Sequence, residues 1–246
     1  MGSIAVRVRN HMRRKTQLSN HSLILLTRVC SESQLMLDSM RYWTTTKLMK
    51  EVEVVTAEEQ QEQCAFIEEI SRTAPVQYLH KYLVAKGVVS DSYKEFKGYL
   101  TSIWFALYGR GGTRNSSSAF EHVFVGEIKH NLQEEVSGFH NWIQFYVEEA
   151  NGRVDYQGYI FPRRRGNVPD SDTQLLTIQF KWKNVLEGVS SSFIGVSPEF
   201  ELALYTLCFF VGEEDNHVKI GPYHVNIKCY RLGNNKIGSI FPVAED

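Results

Sequence analysis

Two histidines, His122 and His140, lie eighteen residues apart in unusual local surroundings. The first follows an acidic residue inside an otherwise apolar segment, FEHVFVGE at 120–127, and the second lies in SGFHNW at 137–142. Imidazole is the side chain that exchanges protons near neutral pH, so two of them in one cleft could take up one proton and deliver another. This is the chemistry that phosphodiester cleavage requires.

RNA offers such a pair an internal nucleophile. A base takes the 2′-hydroxyl proton, an acid protonates the departing 5′-oxygen, and a cation stabilises the charge that develops on phosphorus. The expected product is a 2′,3′-cyclic phosphate. DNA lacks the 2′-hydroxyl, so it is not an expected substrate.

Two other interpretations of these residues stay open. A histidine in an apolar strand is more often a hydrogen-bonded core residue than a catalyst. A metal site is the second alternative, because Glu121, His122 and Glu127 lie on one short segment. If 121–128 is a strand, both glutamates share one face and the histidine takes the other. One metal ion bound by all three would then need a bend, which Gly126 could provide.

Helical signals dominate residues 51–118. Thr56 to Glu59 reads as a capping box before an apolar stripe, Pro75 suits the first turn of a second helix, and Ser92 to Glu95 reads as another capping box. The polar stretch 113–118 reads as a loop. Gly87 is expected to end the second helix.

Residues 119–246 are mixed in pattern. One helix is expected after His140, and another at Ser197-Pro198-Glu199, where a serine cap, a first-turn proline and acidic residues suit a helix start. This order predicts an α+β fold, with N-terminal helices packed on a β-rich body of two subdomains with a cleft between them. The expected strands are 121–128, 154–161, 173–182, 217–220, 223–231 and 237–242.

Charge separates residues 1–50 from the rest. They hold nine Lys or Arg and two acidic residues, a net charge of +7, whereas the whole chain has −1 and residues 51–246 therefore −8. We expect 1–50 to be an atypical basic segment, disordered or of the mitochondrial targeting type, and 51–246 to form the domain. Any RNA binding by so acidic a domain must come from a local basic patch, for which the candidates are Arg163, Arg164, Arg165, Lys181 and Lys183.

Three long segments in order resemble the EndoU (XendoU-like) family of uridylate-specific endoribonucleases. They are the segments around the two histidines and FIGVSPEFELALY at 193–205, and the resemblance covers roughly 52–245. It implies cleavage of single-stranded RNA on the 3′ side of uridylates. It also implies a divalent cation, Mn²⁺ before Ca²⁺. Family members are often secreted, but this N-terminus is not a clean signal peptide, so the sequence does not assign a compartment.

The resemblance also assigns residues. His122 and His140 match the family's catalytic histidines, while Ser191 falls at a hydroxyl position near the uracil. Tyr230 falls where an aromatic side chain packs on the nucleoside, and stacking of this kind is worth about 1–3 kcal/mol per base. In the family Glu121 and Glu127 matter for activity, and both are candidate metal ligands.

One departure concerns the family's catalytic lysine. Its position, five residues after Trp182 and six before Phe193, is occupied by Glu187. Loss of one charge-stabilising group typically lowers a rate about 100–1000-fold, so we expect a weakened nuclease in which Lys183 is a candidate substitute. The alternative functions are a catalytically silent RNA-binding protein and a metal-regulated interaction protein.

The remaining expectations concern partners and cysteines. No apolar run approaches the roughly 20 residues of a membrane span, so no membrane partner is expected, and we expect a monomer. The four cysteines show no zinc spacing and are expected to be free thiols, with Cys208 buried.

Overall fold

A computed structural model describes residues 54–110, 113–130, 134–161, 174–233 and 235–245. The basic segment expected at 1–50 and the arginines at 163–165 lie outside the described residues, so their predictions stay untested. Within the described ranges, no helix is both long and apolar enough to cross a membrane.

Three helices come first: α1 (Ala57–Ile70), α2 (Ala74–Ala85) and α3 (Tyr93–Phe105). Thr56 forms the expected capping box with Glu59, because each side chain accepts a hydrogen bond from the other residue's backbone N–H. Ser92 accepts from the backbone of Glu95, but the Glu95 carboxylate instead accepts from the Ser90 hydroxyl. The helix boundaries therefore follow the sequence signals closely.

The β-rich body contains ten strands among the described residues, all in antiparallel pairs. Two three-stranded sheets, β5–β6–β7 and β8–β9–β10, form its larger parts, and two hairpins, β1–β2 and β3–β4, complete it. The strands are β1 (Tyr108–Arg110), β2 (Thr113–Ser117), β3 (Glu127–His130), β4 (Glu134–Ser137), β5 (Val154–Phe161), β6 (Gln174–Trp182), β7 (Val185–Ile194), β8 (Asp215–Ile220), β9 (Tyr223–Leu232) and β10 (Lys236–Ala244).

Two later helices connect these parts, α4 (Trp142–Ala150) and α5 (Pro198–Val211). The main hydrophobic core joins α1–α3 to α5 and to the β8–β10 sheet, while a smaller cluster joins the β3–β4 hairpin to the β5–β7 sheet. The expected α+β arrangement of helices on a β-rich body is therefore confirmed.

Several local predictions were wrong. Residues 121–125 form a π-helix (Glu121–Val125) rather than the start of a strand, and only 127–130 is extended. The stretch expected as a loop at 113–118 contains β2, and β7 was missed entirely. Ser197 precedes α5 as expected but makes no side-chain capping hydrogen bond.

The cysteines behave as expected where the structure describes them. Cys64, Cys208 and Cys229 are free thiols, and Cys208 is buried.

Candidate active site

A cleft of about 600 Å³ lies between the β5–β7 sheet, strand β10 and the β3–β4 hairpin. This volume falls within the range of small-ligand sites in proteins. Side chains from several elements line it, among them His122, His140, Lys129, Glu187, Ser191 and Phe241.

The two histidines meet at this cleft. Their ring centroids are 6.4 Å apart and the ring planes lie at 74° to each other. Both residues are largely buried, with 4% and 8% of their surfaces exposed, yet both contribute to the cleft lining. Two proton-exchanging groups therefore face one space, as the sequence predicted.

Backbone hydrogen bonds hold the two histidine segments together. The N–H of Phe139 donates to the carbonyl of His122 at 3.0 Å, and the N–H of His140 donates to the carbonyl of Val123 at 2.9 Å. Gly138 permits this close approach: its φ is +74°, and a Cβ atom there would lie 1.8 Å from the His122 carbonyl oxygen. The π-helix is thus fixed directly against the segment that precedes α4.

His122 has a polar partner at each ring nitrogen. Its Nδ1 lies 2.9 Å from Oε2 of Glu127, and its Nε2 lies 2.9 Å from Oγ of Ser239 on β10. A carboxylate at this distance orients the imidazole and stabilises its protonated form. The geometry suits a proton donor.

Glu121, in contrast, stabilises the turn that bears His122. Its carboxylate accepts a 2.7 Å hydrogen bond from the backbone N–H of Ser118, whose hydroxyl accepts one from the Glu121 N–H. This reciprocal pair is a capping box, the motif that satisfies free N–H groups at a helix start. Glu121 is not among the residues that line the cleft.

His140 has less polar neighbours than His122. Phe241 of β10 stacks on its ring with centroids 4.5 Å apart, and the Ser190 hydroxyl lies 3.3 Å from Nδ1. Burial, and after it the nearby charge of His122, lower the pKa of His140 to about 3, although a backbone hydrogen bond with Ser191 opposes both effects. The imidazole is therefore neutral at physiological pH, the form that a general base must have before it accepts a proton.

The residue after His140 is anchored by a buried network. The Asn141 side chain caps α4 by accepting hydrogen bonds from the N–H groups of Ile143 and Gln144, and it donates to Glu201 of α5 at 2.8 Å. Tyr205 donates to the other oxygen of the same carboxyl at 3.1 Å. These contacts fix the helix start beside the catalytic candidate.

Both predicted nucleoside-contacting residues line the cleft. Ser191 is buried, and its hydroxyl lies 2.8 Å from that of Thr177 on β6. Tyr230 is 42% exposed, and its ring centroid lies 6.2 Å from that of Phe241. Their placement agrees with the expected roles, although those roles stay predictions.

Glu187 faces the cleft from β7, together with Val189 and Ser191 at alternate positions. Burial raises the pKa of Glu187 to about 7; a hydrogen bond from the Val189 N–H and the charge of Lys129 lower it, and the charge of Glu135 raises it. A carboxyl group thus lies where the resemblance implies a lysine.

Lys183, the candidate substitute for the family's lysine, lies outside the cleft lining. Lys183 and Asn184 form the two-residue turn between β6 and β7, both at positive φ, as tight hairpin turns require. The Lys183 ammonium lies 5.1 Å from the centre of the Trp182 ring and interacts with Glu148.

The glutamates do not form a metal site in this arrangement. Glu127 is hydrogen-bonded to His122 and Glu121 to the Ser118 backbone, and the described ranges contain no group of three His, Cys, Asp or Glu suited to hold a metal ion. The predicted Glu121–Glu127 ligand pair therefore does not fit. The predicted requirement for Mn²⁺ or Ca²⁺ stays untested.

Several cleft residues were missed by sequence reasoning, among them Lys129, Ser239 and Phe241. Ser239 and Phe241 lie two residues apart on β10, a strand predicted at 237–242, so the pleat of the strand places them on one face. The sequence does not indicate which other element that face contacts.

Comparison with known proteins places this chain in a family. The sequence model of the family described as Endoribonuclease XendoU matches residues 29–242. The zebrafish protein named uridylate-specific endoribonuclease B is 43% identical over 195 residues, 78% of this chain and 68% of that protein. The Xenopus laevis poly(U)-specific endoribonuclease-A is 44% identical over 195 residues, 78% of this chain and 65% of that protein. The human uridylate-specific endoribonuclease is 40% identical over 185 residues, 75% of this chain and 43% of that protein.

A solved structure agrees with the sequence matches. XendoU, described as a splicing independent snoRNA processing endoribonuclease, superposes with a TM-score of 0.74 and 40% identity, covering 86% of this chain and 77% of that one. The present chain thus spans about two thirds of the length of its fish and frog relatives, and less than half of the human one. With most of its length matched by the family's sequence model and a solved member sharing its fold, the chain belongs to the XendoU endoribonuclease family.

Proposed function

We propose that this protein cleaves single-stranded RNA at uridylates and leaves a 2′,3′-cyclic phosphate. The observation that supports this most directly is the pair of imidazoles, 6.4 Å apart, that face one cleft. The relatives named above are uridylate- or poly(U)-specific endoribonucleases, which supports the same substrate.

The environments of the two histidines assign their roles within this proposal. Neutral His140 accepts the 2′-hydroxyl proton, and the 2′-oxygen then bonds to phosphorus. His122, held against the Glu127 carboxylate, is the proton donor to the 5′-oxygen as the bond from phosphorus to that oxygen breaks. A bound phosphate beside the pair would favour the uptake of a proton by His140, since a nearby negative charge stabilises imidazolium.

We assign uridine recognition to two other residues of the cleft lining. Ser191, supported by Thr177, supplies a hydroxyl for the base edge, and the exposed ring of Tyr230 supplies a stacking surface. This pairing of a short polar group with an aromatic face is typical of single-stranded RNA readers.

Glu187 is expected to slow the reaction. Its carboxyl lies in the cleft that must hold a phosphodiester, and in its ionised form it repels that group. Glu187→Lys should therefore raise kcat on a fluorogenic uridine-containing RNA by about 100-fold, the typical value of one charge-stabilising group.

The experiment compares the wild-type chain, Glu187→Lys, and His140→Ala as the inactive control. Each is assayed with the uridine substrate and with its deoxyuridine equivalent, in EDTA, Mn²⁺ or Ca²⁺, and the product ends are identified by mass spectrometry. Cleavage of the deoxyuridine strand, or unchanged cleavage by His140→Ala, would contradict the mechanism.

A catalytically silent RNA-binding protein is the second candidate function, and the Glu187 carboxyl in the cleft favours it. Filter binding of oligouridylate across a salt series separates the two. Salt-dependent binding by a wild-type chain that does not cleave would support the silent protein.

A further inference from the structure

The cleft contains a cation on a wall other than the one that presents Glu187. Of the described residues that line it, Lys129 is the only Lys or Arg. Phosphodiester cleavage builds negative charge on the oxygens of phosphorus, and a positioned cation is the usual means of stabilising it. Lys129 is thus the candidate that the geometry supplies.

The pleat of β3 directs Lys129 toward the histidines. Side chains two residues apart on a strand share a face, so Lys129 points to the same side as Glu127, which contacts the ring of His122. Ile128 between them is buried in the smaller hydrophobic cluster on the other face. The ammonium therefore extends from the strand that also orients the proposed proton donor.

Lys129 forms a weak ion pair with Glu135. Its Nζ lies 3.6 Å from Oε1 of Glu135, directly across the β3–β4 hairpin, and more than half of that glutamate side chain is exposed. Exposed ion pairs of this length typically contribute about 1 kcal/mol or less, so a phosphate can replace the carboxylate. The flexible four-carbon stem of lysine permits the small movement that this exchange requires.

Lys129 also lies close enough to Glu187 to act on it electrostatically, since its charge favours the ionised form of that carboxyl. The two residues therefore flank the same space from β3 and β7. A phosphate between them would meet the ammonium on one side and the carboxyl on the other.

We propose that Lys129 supplies the positive charge that stabilises the reacting phosphate in this cleft, from β3 rather than from β7. The proposal rests on the nuclease function proposed above. It makes Lys129 a catalytic residue and predicts turnover in spite of Glu187.

The test replaces Lys129 with methionine, which keeps the length of the stem and removes the charge. Lys129→Met should lower kcat on the uridine RNA about 100-fold with little change in KM, because the missing charge acts in the transition state. Lys219→Met, a change of an exposed lysine on β8 outside the cleft lining, is the matched control and should leave kcat unchanged.

A second substitution tests whether Lys129 acts through its charge or through the local structure of β3. If both lysines stabilise the same phosphate, Glu187→Lys should raise kcat more in the Lys129→Met background than in the wild-type chain, because there it replaces the missing cation. If Lys129→Met merely causes a structural defect at β3, the gain from Glu187→Lys should be the same in both backgrounds. Thermal melting of each variant checks that the fold is kept.

The outcomes distinguish this proposal from the function on which it rests. Unchanged kcat in Lys129→Met, with activity lost in His140→Ala, overturns the role of Lys129 and leaves the nuclease in place. If the wild-type chain is inactive and the Glu187→Lys variant is active, the proposed role of Lys129 is also overturned. Inactivity of both chains refutes the nuclease and the proposal together.

Discussion

Glu121 and Glu127 have different hydrogen-bond partners, so substitution of each should affect activity differently. Glu127→Gln removes the charge that faces Nδ1 of His122, so we expect kcat on uridine RNA to fall about 10–100-fold, the typical effect of losing a group that orients a functional histidine. Glu121→Gln should be tolerated, since glutamine can replace glutamate in a capping box, whereas Glu121→Ala should reduce both stability and activity. Steady-state kinetics and melting temperatures of the three variants measure this difference.

A metal-ligand role for both glutamates would give a different pattern. Glu121→Gln and Glu127→Gln would then lose activity alike, and added Mn²⁺ would restore part of it. That result would contradict the capping assignment.

At the level of single residues, the sequence predicted which side chains line the cleft more accurately than it predicted the local backbone structure that carries them. His122, His140, Glu187, Ser191 and Tyr230 all line the cleft, because the segments that contain them are recognisable in the sequence. The error at 121–125 arose because β-branched and aromatic residues favour a strand, while the capping box and the backbone contacts at Gly138 impose a helical turn instead. Lys129 was missed because its role depends on which strands meet across the cleft.

At the scale of elements, the contact between the π-helix and the segment before α4 sets the separation of the histidines. Gly138→Ala would place a Cβ atom 1.8 Å from the His122 carbonyl oxygen, so these backbones must move apart. Since a displacement of about 1 Å can cost about 100-fold in rate, we expect kcat to fall by that order. The measurement is cleavage of uridine RNA alongside the melting temperature.

Gly152 offers the matched control for this substitution. Its φ is +70°, close to that of Gly138, but an added Cβ atom there would have no neighbour within 4 Å. Gly152→Ala therefore introduces the same backbone strain, about 1 kcal/mol, without the collision. Equal activities of the two variants would show that the close approach does not position the histidines.

The elements themselves were predicted unevenly, for a physical reason. Helix starts depend on local hydrogen bonds and first-turn residues, so the starts near Thr56, Pro75 and Ser92 were found. Strand β7 reads VLEGVSSSFI, whose serines and glycine suggest a loop; its pairing with β6 and its cleft-facing polar residues come from tertiary contacts. Residues 190–193 are all buried, so this part of the strand has no alternation of buried and exposed positions that the sequence could reveal.

At the scale of the whole molecule, buried ionisable groups link folding to pH. Burial raises the pKa of Glu201 to about 8 and those of Glu149 and Glu187 to about 7, so the native state holds these protons after the unfolded chain has released them. Their stabilising contribution is complete below the ordinary glutamate pKa and is lost as pH rises through the folded values. His140 has the opposite sign: its lowered pKa gives stability above pH 6.5 that is lost as pH falls toward 3.

Three glutamates lose stability from about pH 4.5 upward, whereas one histidine gains it up to pH 6.5, so stability should be greatest near pH 4.5 and decline from there to pH 8. Each retained proton contributes a slope of about 1.4 kcal/mol per pH unit, so Glu201 alone should produce a measurable fall in the free energy of unfolding. Glu201→Gln keeps an acceptor oxygen for the Asn141 amide and presents an N–H to the Tyr205 oxygen, much as a protonated carboxyl would, but it cannot ionise and should flatten the decline. Glu199→Gln, a half-buried position on the same helix, is the control and should leave the slope unchanged. Urea unfolding at half-unit pH steps measures both, and equal slopes for the two variants would show that Glu201 is ionised in the folded protein.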